Sequence, residues 1–206
     1  RFVVNASGVA SAAVASLVET PAFTIHPNRG QYFLLDTSQG NLVDHVVFQC
    51  PSAVGKGVLV SPTVHGNLIV GPSAEPADFG DLDTTADVLA EVRATALKSV
   101  PSINFRDSIR NFAGQRALAD VDDFIVGESA QNPGLFHLAG IKSPGLTAAP
   151  AIALAVVLLP DAAGLSLSPT PAFCSTRRVL RFTHPPPPPR AASLPLNPPP
   201  PLTVCR

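Results

Sequence analysis

The sequence predicts an α/β chain whose middle is a mostly antiparallel, α+β region. Two observations carry this. Short apolar runs next to small-residue helical segments occur at the two ends of the patterned region, "RFVVNASG" before "VASAAVASLV" and "GLFHLAG" before "LTAAPAIALAVVL". Between them, from Phe23 to Val70, strand-like runs are separated by turn residues, the texture of a sheet built from neighbouring strands.

"RFVVNASG" is an apolar run ending in Asn5, Ser7 and Gly8, so it reads as a strand and tight turn, followed by a helix from about Val9 to Val18. "FTIHP", "GQYFLLD", "HVVFQC", "KGVLVSPTV" and "GNLIVGP" read as five strands. "TTADVLAEVRATALKSV" sets Thr84 and Asp87 at capping-box spacing and puts Val88, Leu89, Val92, Ala96 and Val100 on one helical face. "INFRDSIRNFAGQRAL", "DDFIVGES" and "GLFHLAG" read as further strands, and Thr147 to Leu159 as a helix. From Pro160 onward the pattern fades into proline runs, Pro185 to Pro189 and Pro198 to Pro201. That stretch reads as an extended linker or spacer, with recognition by a polyproline-binding module as the rival use.

Composition narrows the partners. With 206 residues, 46% hydrophobic and 14% charged, the chain holds enough apolar material for one core or two small ones. The formal net charge of -1 and the lack of a basic cluster argue against nucleic acid. The longest apolar run, Ala148 to Leu159, is interrupted by Pro150 and too short for a bilayer span, which leaves only peripheral membrane association open. Cys50, Cys174 and Cys205 are scattered and odd in number, which fits a reducing, cytoplasmic setting better than a disulfide framework. The five histidines are equally scattered, and no metal site is expected. The chain begins Arg-Phe-Val-Val and contains no methionine, which reads as a fragment of something longer.

The stretch "GIKSPGLTAAPAIA" holds the most local chemistry. A strand ending at Gly140, a turn through Ser143, Pro144 and Gly145, and a helix from about Thr147 would leave unpaired N–H groups at a positive helix end. Gly145 lets a ligand approach the backbone. An ordinary strand-to-helix connection, with water on the same donors, is the competing reading.

Order decides between them. "NFAGQRA" precedes "DDFIVGES", which precedes "GLFHLAGIKSPGLTAAPAIA", while "RFVVNASG", "HPNRGQYFLLD" and "VHGNLIVGPSAE" stand upstream. Over roughly Arg1 to Thr183 this succession resembles the carboxyl half of FAD-dependent oxidoreductases of the D-amino-acid-oxidase and glycerol-3-phosphate-dehydrogenase superfamily. The glycerol-3-phosphate dehydrogenase and L-2-hydroxyglutarate oxidase branches are the nearest in motif. The resemblance implies a partial FAD-binding Rossmann-like domain from residues 1–20 and 117–160, an inserted substrate domain over 21–116, and a proline-rich tail over 161–206.

It also implies roles. Gly140, Ser143, Pro144, Gly145, Leu146 and Thr147 match the segment whose backbone reaches the flavin, where reduction builds negative charge that a helix N-terminus stabilises. Asn5, Ala6 and Gly8 match the turn beside the dinucleotide. Arg116 matches the family arginine beside flavin and substrate, a planar guanidinium suited to carboxylate or phosphate, with Ala117 where proline usually follows. The implied reaction is hydride transfer from a 2-hydroxy acid or glycerol 3-phosphate to FAD, with a small anionic substrate.

His65 and His26 are candidate proton acceptors or plain turn histidines, and Arg29 is either an anion contact or a support of the sheet. Cys205 matches the first cysteine of an iron–sulfur domain that follows in some relatives, so an iron–sulfur domain or other electron acceptor is an expected partner. No G-x-G-x-x-G follows a first strand, so this chain alone is expected to bind FAD poorly. The rival is a truncated, non-catalytic remnant serving assembly or partner binding.

Overall fold

The computed structural model describes residues 2–50, 57–162, 164, 165 and 168; the proline runs, Cys174 and Cys205 lie outside them. A five-stranded antiparallel sheet dominates. Its centre is β2 (Ile25–Leu35), flanked by β4 (Leu68–Gly71), the short β5 (Glu75–Pro76) and β6 (Ser108–Ala119), with β3 (Leu59–Pro62) outside β4. A second, three-stranded sheet has the order β1 (Val3–Asn5), β8 (Leu135–Ala139), β7 (Ile125–Glu128); β1 runs parallel to β8 and β7 antiparallel to it. This smaller sheet joins the two ends of the described chain, and the α/β expectation holds.

One face of the large sheet is covered by α2 (Ala86–Ser99), where Leu89, Val92 and Ala96 are buried as the helical period requires. Val92, Ala96 and Val100 pack on Leu35, Val60, Leu68 and Val70 to form the main core. A smaller cluster of Ala15, Phe23 and Ala139 lies beneath the second sheet. The helix start differs from the sequence expectation by one residue: Thr85, not Thr84, is the N-cap. Its N–H is taken by the side chain of Gln31 at 2.8 Å, so a fully buried strand residue does the work expected of a local capping box. Asp87 still accepts a hydrogen bond from the Thr85 side chain, which with backbone N–H bonds holds its carboxyl below the ordinary value.

Three elements depart from the local pattern. "FTIHP" and "GQYFLLD" are one continuous strand, β2, running through Pro27 and Gly30. Pro27 is tolerated because its backbone faces away from β6, its carbonyl accepting from Ala77 N–H on the other side, so no β2–β6 bond is lost. "HVVFQC" is reduced to one bridge, Val47 to Val60, because Gln49 bonds the Thr95 carbonyl and Ser99 hydroxyl of α2 instead of a strand neighbour. The first helix shrinks to α1 (Ser11–Ala15) after a tight 3-10 turn over Gly8–Ala10. Ser16 bonds back to the Ala12 carbonyl and Asn132 captures the Val18 carbonyl, which ends the helix early. The last helix, α3, spans Gly145–Ala162. Among the described residues no helix is long and apolar enough to cross a membrane.

Candidate functional site

Strand β6 is the common support. Its middle pairs residue by residue with β2, so alternation puts Asn28, Gly30 and Tyr32, with their partners Arg116, Gly114 and Phe112, on the face opposite α2. This face is open at Gly114, where an added side chain would meet nothing within 4 Å. Tyr32 and Phe112 stack at 5.1 Å and 8° to form a wall one row beyond the two glycines. The floor is therefore backbone, with a cation at one end and an aromatic pair at the other.

The cation is Arg116. Its guanidinium donates to Asn28 Oδ1 at 2.7 Å and to the Ser73 carbonyl at 3.3 Å, both neutral acceptors. Among the described residues it has no carboxylate partner. Gly30 makes this placement possible, because a Cβ there would lie 2.6 Å from Arg116 Nη2 and 2.9 Å from Pro72 Cβ. A half-buried guanidinium held only by neutral groups keeps its full charge available to an anion.

Arg29, one residue before Gly30, has the opposite fate. It points to the α2 face, buried, with Nε 3.2 Å from Glu75 and Nη1 2.7 Å from Asp81. The hydrogen bond to Glu75, then the fields of Glu75 and Asp81, hold its guanidinium above its ordinary value. Arg29 supports the sheet and anchors the loop before α2.

The far end of β6 carries the second part. Gly140 follows β8 at φ 63°, and a Cβ there would lie 2.8 Å from the Ala119 methyl, so the turn presses directly on β6. Lys142 N–H bonds the Gly140 carbonyl, Gly145 N–H the Lys142 carbonyl and Ala148 N–H the Pro144 carbonyl. Among the described residues the N–H groups of Ser143, Leu146 and Thr147 have no acceptor, and all three residues are exposed, Leu146 at 94%. An uncapped end of a long helix, with three free donors, fits an electron-rich group. Lys142 adds a cation whose Nζ lies 3.2 Å from exposed Asp122, a pair that water screens.

The third part is the turn after β1. Ala6 and Gly8 are exposed, and the Gly8–Ala10 turn packs against both β2 and β6. Asn5 differs: it is 3% exposed and its amide is fully engaged inside the protein. Asn5 therefore presents no amide group outward from this segment.

The structure thus gathers Arg116, the Gly140–Thr147 segment and the Gly8 turn around β6. It does not bring His65 to them. His65 sits exposed in the turn between β3 and β4, by the end of β2 where Leu35 pairs with Leu68, seven residues from Asn28. That is about 23 Å along an extended strand. His26 lies nearer, on the same face as Asn28 and Arg116, exposed and 3.2 Å from Thr24 Oγ1. Asn28, Gly30, Ser73, Tyr32 and Phe112 escaped the sequence reading, since only the β2–β6 register sets them beside Arg116.

The family model for FAD-dependent oxidoreductases, DAO, matches residues 1–159. A glycerol 3-phosphate dehydrogenase of Caloramator mitchellensis is 48% identical over 158 residues, covering 76% of this chain and 33% of that protein. A glycerol 3-phosphate oxidase of Mycoplasma pneumoniae is 37% identical over 165 residues, covering 77% of this chain and 42% of that protein. The structure of dithionite-reduced L-α-glycerophosphate oxidase from Mycoplasma pneumoniae with FAD bound is 32% identical at TM-score 0.72, covering 82% of this chain and 44% of that one. Glycine oxidase from Bacillus cereus, 18% identical, shares the fold at TM-score 0.66 over 79% of this chain and 43% of its own. The chain spans between a third and under half of the relatives it matches.

Proposed function

Because the chain belongs to the DAO family of FAD-dependent oxidoreductases, we propose that the protein carrying it oxidises glycerol 3-phosphate, with hydride transfer from an alcohol carbon to FAD. The observation that carries the substrate half of this reading is Arg116: a guanidinium over a glycine floor, bonded only to Asn28 and the Ser73 carbonyl. Such a group binds a phosphate through two parallel N–H bonds without first breaking an ion pair. The relatives named for glycerol 3-phosphate support the phosphate over the carboxylate of a 2-hydroxy acid.

FAD would supply the redox chemistry, accepting the hydride. The residues here would bind and orient the reactants. The free N–H groups of Ser143, Leu146 and Thr147, aided by the α3 dipole, would face the edge where charge collects on reduction. Arg116 and Asn28 would fix the anionic end of the substrate, and the Tyr32–Phe112 wall would bound its length. Gly30 would leave room for the Arg116 guanidinium, and Gly114 would keep the floor beside it clear for close approach.

The test uses the natural full-length protein that carries this chain. It should purify with a visible flavin absorption, and anaerobic glycerol 3-phosphate should bleach that band, whereas lactate and 2-hydroxyglutarate should leave it. Bleaching by a 2-hydroxy acid alone would reverse the substrate assignment, and a colourless protein that takes up no added FAD would remove the flavin from the account.

A further inference from the structure

A buried polar chain runs from the loop after β7 and the turn after α1, through His137 on β8, to Asn5 at the end of β1, and the proposed chemistry makes no use of it. Asn5 is 3% exposed and His137 5%, and the Glu19 side chain retains only 4% of its surface. Glu19 Oε1 lies 2.8 Å from His137 Nε2, and His137 Nδ1 lies 3.3 Å from Asn5 Nδ2. Glu19 Oε2 accepts from the Ser129 hydroxyl and from Asn132 Nδ2, the latter at 3.0 Å. Every polar atom of the chain is engaged, which is the condition under which a buried network specifies one arrangement.

The direction of each bond is forced. Asn5 Nδ2 meets the Ser11 carbonyl at 2.9 Å, which only accepts; Asn5 Oδ1 meets the Ser7 N–H at 3.4 Å, which only donates. The amide orientation is therefore fixed by the backbone. The second Nδ2 hydrogen then faces His137, so Nδ1 must present its lone pair and the ring proton sits on Nε2, donating to the Glu19 carboxylate. Reading the bonds the other way, the carboxylate selects the tautomer, the tautomer orients the amide, and the amide shapes the Ser7–Gly8 turn.

We infer that Glu19 and His137 are positioning residues that act through Asn5 to hold the Ser7–Gly8 backbone in the shape that receives the dinucleotide. This rests on the flavin reading above. It assigns Asn5 a role inside the protein, as a template for the turn, in place of direct contact with the cofactor.

Glu19→Gln tests it with little change of shape. Glutamine cannot accept on both oxygens: an amide nitrogen beside Ser129 and Asn132 would oppose the Asn132 donor, so it turns toward His137 Nε2, which must then accept. The ring proton moves to Nδ1, against the Asn5 amide, and Asn5 must rotate away from Ser7. In the full-length protein with isotope-labelled histidine, NMR should show His137 as the Nε2–H tautomer and the Glu19→Gln variant as the Nδ1–H tautomer. FAD should bind the variant about tenfold more weakly, the scale of one disrupted buried hydrogen bond. His137→Leu, which removes the acceptor for Asn5 together with the donor for Glu19, should weaken FAD at least as much and serves if Glu19→Gln does not fold. A wild-type Nδ1–H tautomer, or a tautomer switch with unchanged FAD affinity, would overturn the assignment while leaving the flavin reading intact. Wild-type protein that binds no FAD at all would overturn both.

Discussion

Replacing Gly30 with alanine puts a methyl group where the structure has no room for one. Its Cβ would sit 2.6 Å from Arg116 Nη2 and 2.9 Å from Pro72 Cβ. Comfortable contact between such atoms needs about 3.5 Å, so both overlaps approach about 0.6–0.9 Å. Pro72 is a ring and cannot turn aside; Arg116 can, but only by lengthening its 2.7 Å bond to Asn28 and its bonds to the Ser73 carbonyl. Overpacking of this kind costs about 1–3 kcal/mol, or about 2–12 °C in melting temperature for a chain of this size. The functional loss should be larger, because displacing an orienting group by about 1 Å lowers rate on the order of a hundredfold. The assay is kcat/KM for glycerol 3-phosphate in the full-length protein beside a thermal melt, with Gly114→Ala as control. Gly114 has open space above it, so its alanine variant should melt like wild type and raise KM only by intruding on bound substrate. If Gly30→Ala melts lower yet keeps wild-type kcat/KM, Arg116 does not orient the substrate and the proposed anion site is wrong.

Arg116→Lys retains the charge and loses the planar fork, so KM for the phosphate substrate should rise about tenfold or more with a smaller change in kcat; equal KM would show that a point charge suffices. Gln31→Leu should lower stability by about 1–3 kcal/mol in denaturant melts, since it leaves the Thr85 N–H at the start of α2 without its acceptor, while Glu75 keeps Arg29. Wild-type stability in that variant would mean the helix start is capped some other way. Glu19 gives a pH signature. Hydrogen bonds from Ser129, then Asn132 and His137, outweigh burial and hold its carboxyl below the ordinary 4.5. A carboxyl depressed by folding stabilises fully above 4.5 and loses that contribution as pH falls below it, so the melting temperature should drop more steeply there in wild type than in Glu19→Gln. Parallel curves would remove Glu19 from the acid response.

What the sequence made legible was periodic or ordered. Leu89, Val92, Ala96 and Val100 announced their helix face through spacing alone, and the Gly140–Thr147 segment through its glycine and proline punctuation before an apolar run. The β2 strand was split on paper because Pro27 and Gly30 signal turns locally, whereas the deciding fact is the long pairing with β6. The same pairing explains why Asn28, Gly30 and Ser73 went unnoticed around Arg116: each looks like a turn or surface residue until register places it. Gln31 as a helix cap, and Asn5 as an inward-facing residue, are contacts across long separations in sequence that no local pattern encodes. His65 was singled out for its titration range, and titration range carries no information about distance.

The register of β2 against β6 shifts once, between Leu34, paired with Arg110, and Leu35, paired with Ser108, leaving Ile109 as an extra residue with its side chain exposed. Inheritance meets that bulge and the run after it differently. A codon lost at Ile109 itself would only remove the surplus residue of the bulge. A codon gained or lost between Asn111 and Arg116 would exchange the two faces of the strand, turning Arg116 toward the core and Gln115 outward. A change of length is thus tolerable at the bulge and excluded along the run that sets the face of Arg116.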